Sequence, residues 1–107
     1  TTGMYTLTLL DALPILEYSL NQNFPNPFNN STSISFSIPK DGKGNLSVFN
    51  LNRHRVKDLI NGNINAGIHT VTWNGFNSDG KPVSSGVYLY IIKSDSFSAM
   101  KKMILMK

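Results

Sequence analysis

An antiparallel all-β sandwich of about seven strands is what this 107-residue sequence predicts. Three observations carry that expectation. Short stretches of alternating or β-branched apolar residues recur along the chain. Clusters of Gly, Pro, Asn, Asp and Ser separate them, at intervals of about 10–15 residues. No stretch sustains the 3.6-residue period of an amphipathic helix.

Residues 1–16, TTGMYTLTLLDALPIL, stand apart, with neither a clean period nor turn chemistry. They are a linker, a fragment of an upstream domain, or a sequencing artefact. The last option is specific, because GACGCTCTTCCGATC, an adapter-like string, encodes Asp11 to Ile15. The same codons in an independent genomic assembly would remove it. Residues 17–107 form the ordered domain.

The lead-in, Asn23 to Asn30, comes first. Pro25 and Pro27 fix φ near −65° and push the residues before them towards extended geometry. Asn26, Asn29 and Asn30 bring turn chemistry. This reads as a stiff extended segment that Phe24 and Phe28 pin to a core. Ile34, Phe36 and Ile38 then alternate with serines as a half-buried strand. Pro39 ends it, and Asp41 to Gly44 reads as a turn. Asn45 to Leu51 and Arg55 to Ile60 are strands joined by a turn at Asn52 to His54. Asn61-Gly62-Asn63 reads as another turn. Ile68 to Trp73 is a β-branched strand, and Trp73 is a core residue whose indole N–H needs a loop carbonyl. Gly67, Gly75, Gly80 and Gly86 serve turns or close backbone approach, and Asp79 closes its turn on its own backbone amides. Val87 to Lys93 is the most apolar strand, with Val87, Leu89 and Ile91 on one face and Tyr88, Tyr90 and Ile92 on the other. Phe97 to Met106 is the last strand.

The composition narrows the function. An apolar content of 40% suits a globular domain, and a chain this long buries roughly two thirds of its unfolded surface. A net stability of about 5–10 kcal/mol is expected. With no cysteine there is no disulfide, thiolate metal site or thiol catalysis. Of ten Lys and Arg residues, Lys101, Lys102 and Lys107 lie at the end. The other seven face six acids, so the body carries only +1. A nucleic-acid footprint wants basic residues spread over one face, and none is expected here. Arg53, His54, Arg55 and Lys57 read as a solvated turn and strand edge. The longest mostly apolar stretch, Met4 to Leu16, is too short to span a membrane and holds Asp11 and Pro14. It also lacks the basic start of a signal peptide.

Catalytic patterns are missing. His54 and His69 are isolated, without a metal-ligand partner spacing. The acids are scattered, whereas glycoside hydrolysis needs two carboxyls in one cleft. Asn77 to Gly80 lacks most of a calcium loop, and no GxSxG elbow occurs. The expectation is a protein that is not an enzyme, with no cofactor and no metal.

Several segments together resemble one family. Asn23-Phe24-Pro25-Asn26-Pro27-Phe28-Asn29 resembles a YPNPFN lead-in. Val48 to Leu51 with Arg53 to Val56 resembles a VYDxxGREV hairpin. Ala66 to His69 with Trp73-Asn74-Gly75 resembles AGxHxxxWDG. Asp79 to Val83 with Ser85 to Tyr90 resembles DGxPVxSGVYxY. Lys101-Lys102-Met103-Ile104-Leu105-Met106-Lys107 resembles a basic-apolar terminal motif. The set, covering about residues 21–107, is similar to the type A C-terminal sorting domain of the type IX (Por) secretion system of Bacteroidetes. There are departures. Asn52 or Arg53 replaces the hairpin glycine, and Asn50 and Asn74 replace acids.

The resemblance implies an Ig-like sandwich with a non-catalytic role. Such a domain directs an upstream cargo, absent here, from the periplasm across the outer membrane to the cell surface or medium. Its partners would be the type IX translocon and a sortase-like surface enzyme. Lys101 to Lys107 would carry recognition. Pro25, Asn26, Pro27, Phe28, Trp73, Gly75, Gly80, Gly86 and Tyr88 would be the structural motif. A last strand that ends flush with the chain can sit on a sheet edge and pair with a receptor. Its lysines would steer, and Met103 to Met106 would bury apolar surface there.

Two alternatives stand beside it. The hairpin, Trp-Asn-Gly and GVYxY segments also resemble the Ig-like domain of flagellar hook-capping proteins, which implies a structural or assembly module without an export role. A carbohydrate-binding module would instead use Trp73, Tyr88 and Tyr90 as exposed, coplanar stacking platforms.

Overall fold

The computed structural model describes residues 16–107. The suggested linker or artefact therefore lies, except for Leu16, outside the described residues. The described residues form seven strands: β1 (Ser19–Leu20), β2 (Thr32–Ile38), β3 (Gly42–Phe49), β4 (Arg55–Ile64), β5 (Gly67–Trp73), β6 (Gly86–Ser94) and β7 (Phe97–Leu105). They build two antiparallel sheets, ordered β1-β2-β5 and β4-β3-β6-β7. The predicted all-β sandwich is the observed fold.

Period-2 patterning decides which side chains enter the core. In β2, Thr32, Ile34, Phe36 and Ile38 are buried while Ser33, Ser35 and Ser37 alternate at the surface. In β6, Tyr88, Tyr90 and Ile92 join the core cluster with Leu46, Val48, Trp73, Met103 and Leu105. Leu89 is also buried but belongs to the other face. There it is flanked by Phe49 of β3 and Lys102 of β7.

Two expected turns are strands. Gly42 to Asn45 pairs with Asn61 to Ile64 through Lys43↔Asn63, Gly44↔Gly62 and Asn45↔Asn61. The glycines mark close approach there. A Cβ on Gly44 would lie 2.6 Å from the Lys93 carbonyl oxygen and 3.0 Å from Ile64 Cδ1. Gly44→Ala is therefore expected to destabilise the domain by about 1–3 kcal/mol, the usual cost of overpacking. Urea unfolding measures it, and a loss below about 0.5 kcal/mol would contradict the close contact.

The turns that do form use asparagine. Asn50 Oδ1 accepts the N–H groups of Asn52 and His54, closing the β3–β4 connection. Arg53 holds the left-handed position, with φ at 66°, where the resembling family has glycine. In the loop after β5, Asn77 Oδ1 accepts the N–H groups of Asp79 and Lys81. Asn77, not Asp79, closes that turn, and Gly80 completes it at φ 77°.

Candidate recognition site on the terminal strand

β7 is an edge strand, and its alternation divides the terminal motif in two. Met103 and Leu105 are 0% and 1% exposed and belong to the core, whereas Ile104 and Met106 are 38% and 58% exposed. Lys102 and Lys107 are exposed as well. Lys101 is half-buried opposite Tyr90 on the inner side of the sheet. Only part of the motif can therefore meet a partner, and the expected burial of Met103 and Leu105 is burial in this domain's own core. Removing the whole segment would take two core side chains with it, each worth about 2–5 kcal/mol as a truncation to Ala.

The outer edge beside this motif is not open as expected. The lead-in covers it. Phe28 forms a parallel bridge with Leu105: its N–H donates to the Ile104 carbonyl at 2.9 Å, and its carbonyl accepts from Met106 N–H at 2.8 Å. Asn26 Oδ1 accepts the Ile104 N–H at 3.0 Å, and Gln22 Nε2 donates to the Lys102 carbonyl at 2.7 Å.

A buried polar knot holds the lead-in in place. Tyr90 Oη donates to the Asn21 carbonyl at 2.7 Å and accepts the Asn23 N–H at 2.9 Å. Burial pushes the Tyr90 hydroxyl up to about 12, against the opposing pull of the Asn23 N–H. Asn23 is itself buried. Its Nδ2 donates to Thr32 Oγ1 and to the Pro25 carbonyl, and Thr32 Oγ1 donates to that same carbonyl. A buried polar group needs such partners to offset its desolvation.

The lead-in departs from the expected extended pin. Residues Pro25 to Pro27 form bends, and both X–Pro bonds are cis. The segment crosses from Ser33 on one sheet, where Phe24 bridges, to Leu105 on the other. Phe28 is buried as expected, but the Phe24 ring is 79% exposed and anchors nothing by burial. Only its backbone is held, through reciprocal bonds with Ser33.

The remaining structural-motif residues lie behind this latch. Trp73 packs edge-on against Phe28 and Tyr88, with ring centroids 5.7 and 5.3 Å away. Its indole N–H donates to the Phe76 carbonyl at 2.9 Å, the loop carbonyl its burial calls for. Tyr88 Oη donates to the Ser84 carbonyl. The Gly75 carbonyl accepts the Val83 N–H, and Gly86 opens β6. Trp73, Tyr88 and Tyr90 are all buried, so the carbohydrate-platform reading, which needs those rings exposed and coplanar, fails.

The model of one family, the FlgD Ig-like domain, matches residues 26–96. The chain belongs to the FlgD Ig-like family. Its fold is also similar to parts of two solved structures from Porphyromonas gingivalis. One is dimeric latent PorU, at 18% identity and a TM-score of 0.63, over 89% of this chain and 10% of that one. The other is PorZ, described as an essential surface component of the type-IX secretion system, at 14% identity and a TM-score of 0.54, over 84% of this chain and 11% of that one. This FlgD Ig-like chain thus spans about a tenth of the length of each. No curated protein matches the sequence.

Gln22, Asn23, Thr32 and Tyr90 were not legible as site residues. The FlgD Ig-like fold brings Asn23 against Tyr90 across 67 positions of sequence and Gln22 against Lys102 across 80. The only available signal was the place of Tyr90 in the most apolar strand. Beside the latch lies a groove of about 270 Å³, lined by Gln22, Asn26, Val87, Lys101, Lys102 and Ile104.

Proposed function

We propose that this domain is a non-catalytic type A C-terminal sorting module that takes an upstream cargo across the outer membrane by a type IX system. The observation that carries the reading is the latch. The proline lead-in and the basic-apolar terminal strand, the two segments that set the sorting resemblance apart from a generic Ig-like domain, are hydrogen-bonded to each other through Phe28, Asn26 and Gln22. The likeness to PorZ, itself a type IX component, supports the same setting. On this reading Lys102, Ile104, Met106 and Lys107 are the face offered to the translocon. Lys101 adds charge from the inner side, and the sortase-like enzyme acts upstream of the domain. The cargo ends at the cell surface or in the medium.

The second reading is an Ig-like structural or assembly module without an export role. The match of the FlgD Ig-like family to residues 26–96 favours it. Export separates the two. Residues 17–107 fused behind a periplasm-directed fluorescent protein, in a strain with a type IX system, are expected to carry fluorescence to the surface or medium. Retention of the folded fusion in the periplasm would leave only the structural module.

A further inference from the structure

The edge of β7 is closed along only part of its length. In an antiparallel ladder, both backbone groups of one residue point to the neighbouring strand and those of the next point away. Ile104 turns both groups to the lead-in, and Lys102 turns its carbonyl to Gln22. Ser98, Met100 and Lys102 share that outward direction. Among the described residues, no backbone partner meets the Ser98 and Met100 groups or the Lys102 N–H on this side. Such an edge is a template for one more strand.

The side chains beside it define what fits. Met100 is 48% exposed on the outer face of the sheet. Across the ladder it adjoins Ile91, and Lys102 adjoins the buried Leu89. The groove at the end of the free stretch is lined by Lys101 and Lys102 together with the amides of Gln22 and Asn26. No acid occurs anywhere in β7. An incoming strand thus meets an apolar position at Met100 and a cationic one two residues further on.

We infer that the Ser98–Lys102 edge of β7 receives an extended partner segment, with an apolar side chain beside Met100 and a carboxylate beside Lys102. Backbone pairing gives affinity and the alternate side chains give selectivity. A second copy of this chain is the poorer occupant, because its β7 brings the same lysines and no acid. The inference deepens the sorting reading by giving the chemistry of the partner, and only its biological setting rests on that reading.

The test uses the full chain and a labelled heptapeptide in which valine and glutamate alternate on a threonine background. The lysine analogue of that peptide is the control. The acidic peptide is expected to bind at least about tenfold more tightly than the lysine analogue. Binding should slow hydrogen exchange at the Met100 and Lys102 amides. Met100→Pro removes an N–H that the β6–β7 ladder does not use, and Lys102→Glu alters only an exposed side chain. Each should weaken the acidic peptide by about tenfold or more, and Lys102→Glu should gain affinity for the lysine analogue. The inference is overturned by equal affinity for both peptides, by protection at other amides, or by no binding at about 1 mM. It is also overturned by a dimer that already protects these amides without peptide. Because this titration does not involve export, a failure here leaves the secretion result standing, and the reverse.

Discussion

Phe28→Ala is expected to cost about 3–5 kcal/mol of stability, whereas Phe24→Ala, four residues earlier in the same motif, should change it by no more than about 0.5 kcal/mol. Phe28 is 2% exposed and meets Trp73 edge-on. Its truncation opens a cavity, removes an aromatic pair and loosens the two backbone bonds that hold the lead-in to β7. Phe24 leaves 79% of its surface in water, so its loss uncovers little. Against a total of about 5–10 kcal/mol, the Phe28 effect is large enough to leave a substantial unfolded fraction. Urea midpoints at unchanged slope give both values. Equal costs for the two would mean that the lead-in is not held in the way the structure shows.

Tyr90→Phe is expected to lower stability by about 2–4 kcal/mol. The new ring fills nearly the same space, but the Asn23 N–H and the Asn21 carbonyl lose their shared partner at the centre of the latch. Each unsatisfied group costs about 1–3 kcal/mol. The hydroxyl also predicts a pH signature. Burial raises its folded value from 10.0 to about 12. Below pH 10 both folded and unfolded chains keep the proton, and the Tyr90 contribution is fully present. Between pH 10 and about 12 the unfolded chain gives up its proton first. Stability then falls by up to about 1.4 kcal/mol per pH unit, and the contribution is gone above the folded value. The readout is the difference in slope between the native chain and Tyr90→Phe. Parallel profiles for the native chain and Tyr90→Phe would contradict a buried, hydrogen-bonded hydroxyl.

Legibility followed burial. Ile34, Phe36 and Ile38 in β2 alternate with serines, so that strand and its inward face could be read from period alone. In β6 both faces are apolar, so the strand was legible, but not that Tyr88, Tyr90 and Ile92 form its inward face. The seven-strand sandwich followed from those runs and the turns between them. Gly42 to Gly44 and Asn61 to Asn63 were misread because their residue types favour turns when alone. In the fold they face each other, and the pairing of two slender strands overrides local preference. The glycine at 44 reports a neighbour too close for a side chain, which only the assembled sheet reveals.

The candidate site was legible as two motifs but not as one object. The terminal segment could be singled out by its charge and apolar run, yet its split into core and surface halves depends on the register of β7 against β6. The lead-in could be read as rigid, but not as the partner of the terminal edge. That contact joins residues 26 and 28 to residues 104 and 106, and nothing local encodes it. Phe24 and Phe28 look alike in sequence and part company only where the chain bends between the sheets.

The split of the terminal motif sets the decisive measurement, because deleting Lys101 to Lys107 would remove Met103 and Leu105 from the core and confuse unfolding with loss of a signal. Lys102→Glu, Ile104→Ser, Met106→Ser and Lys107→Glu combined change outward side chains alone. This variant and the native domain are each fused behind a periplasm-directed fluorescent protein in a strain with a type IX system, and the folded state of both is checked by urea unfolding. The native fusion is expected to reach the surface or medium while the variant, folded, stays in the periplasm. Export of both to the same extent, or of neither, would contradict the sorting reading.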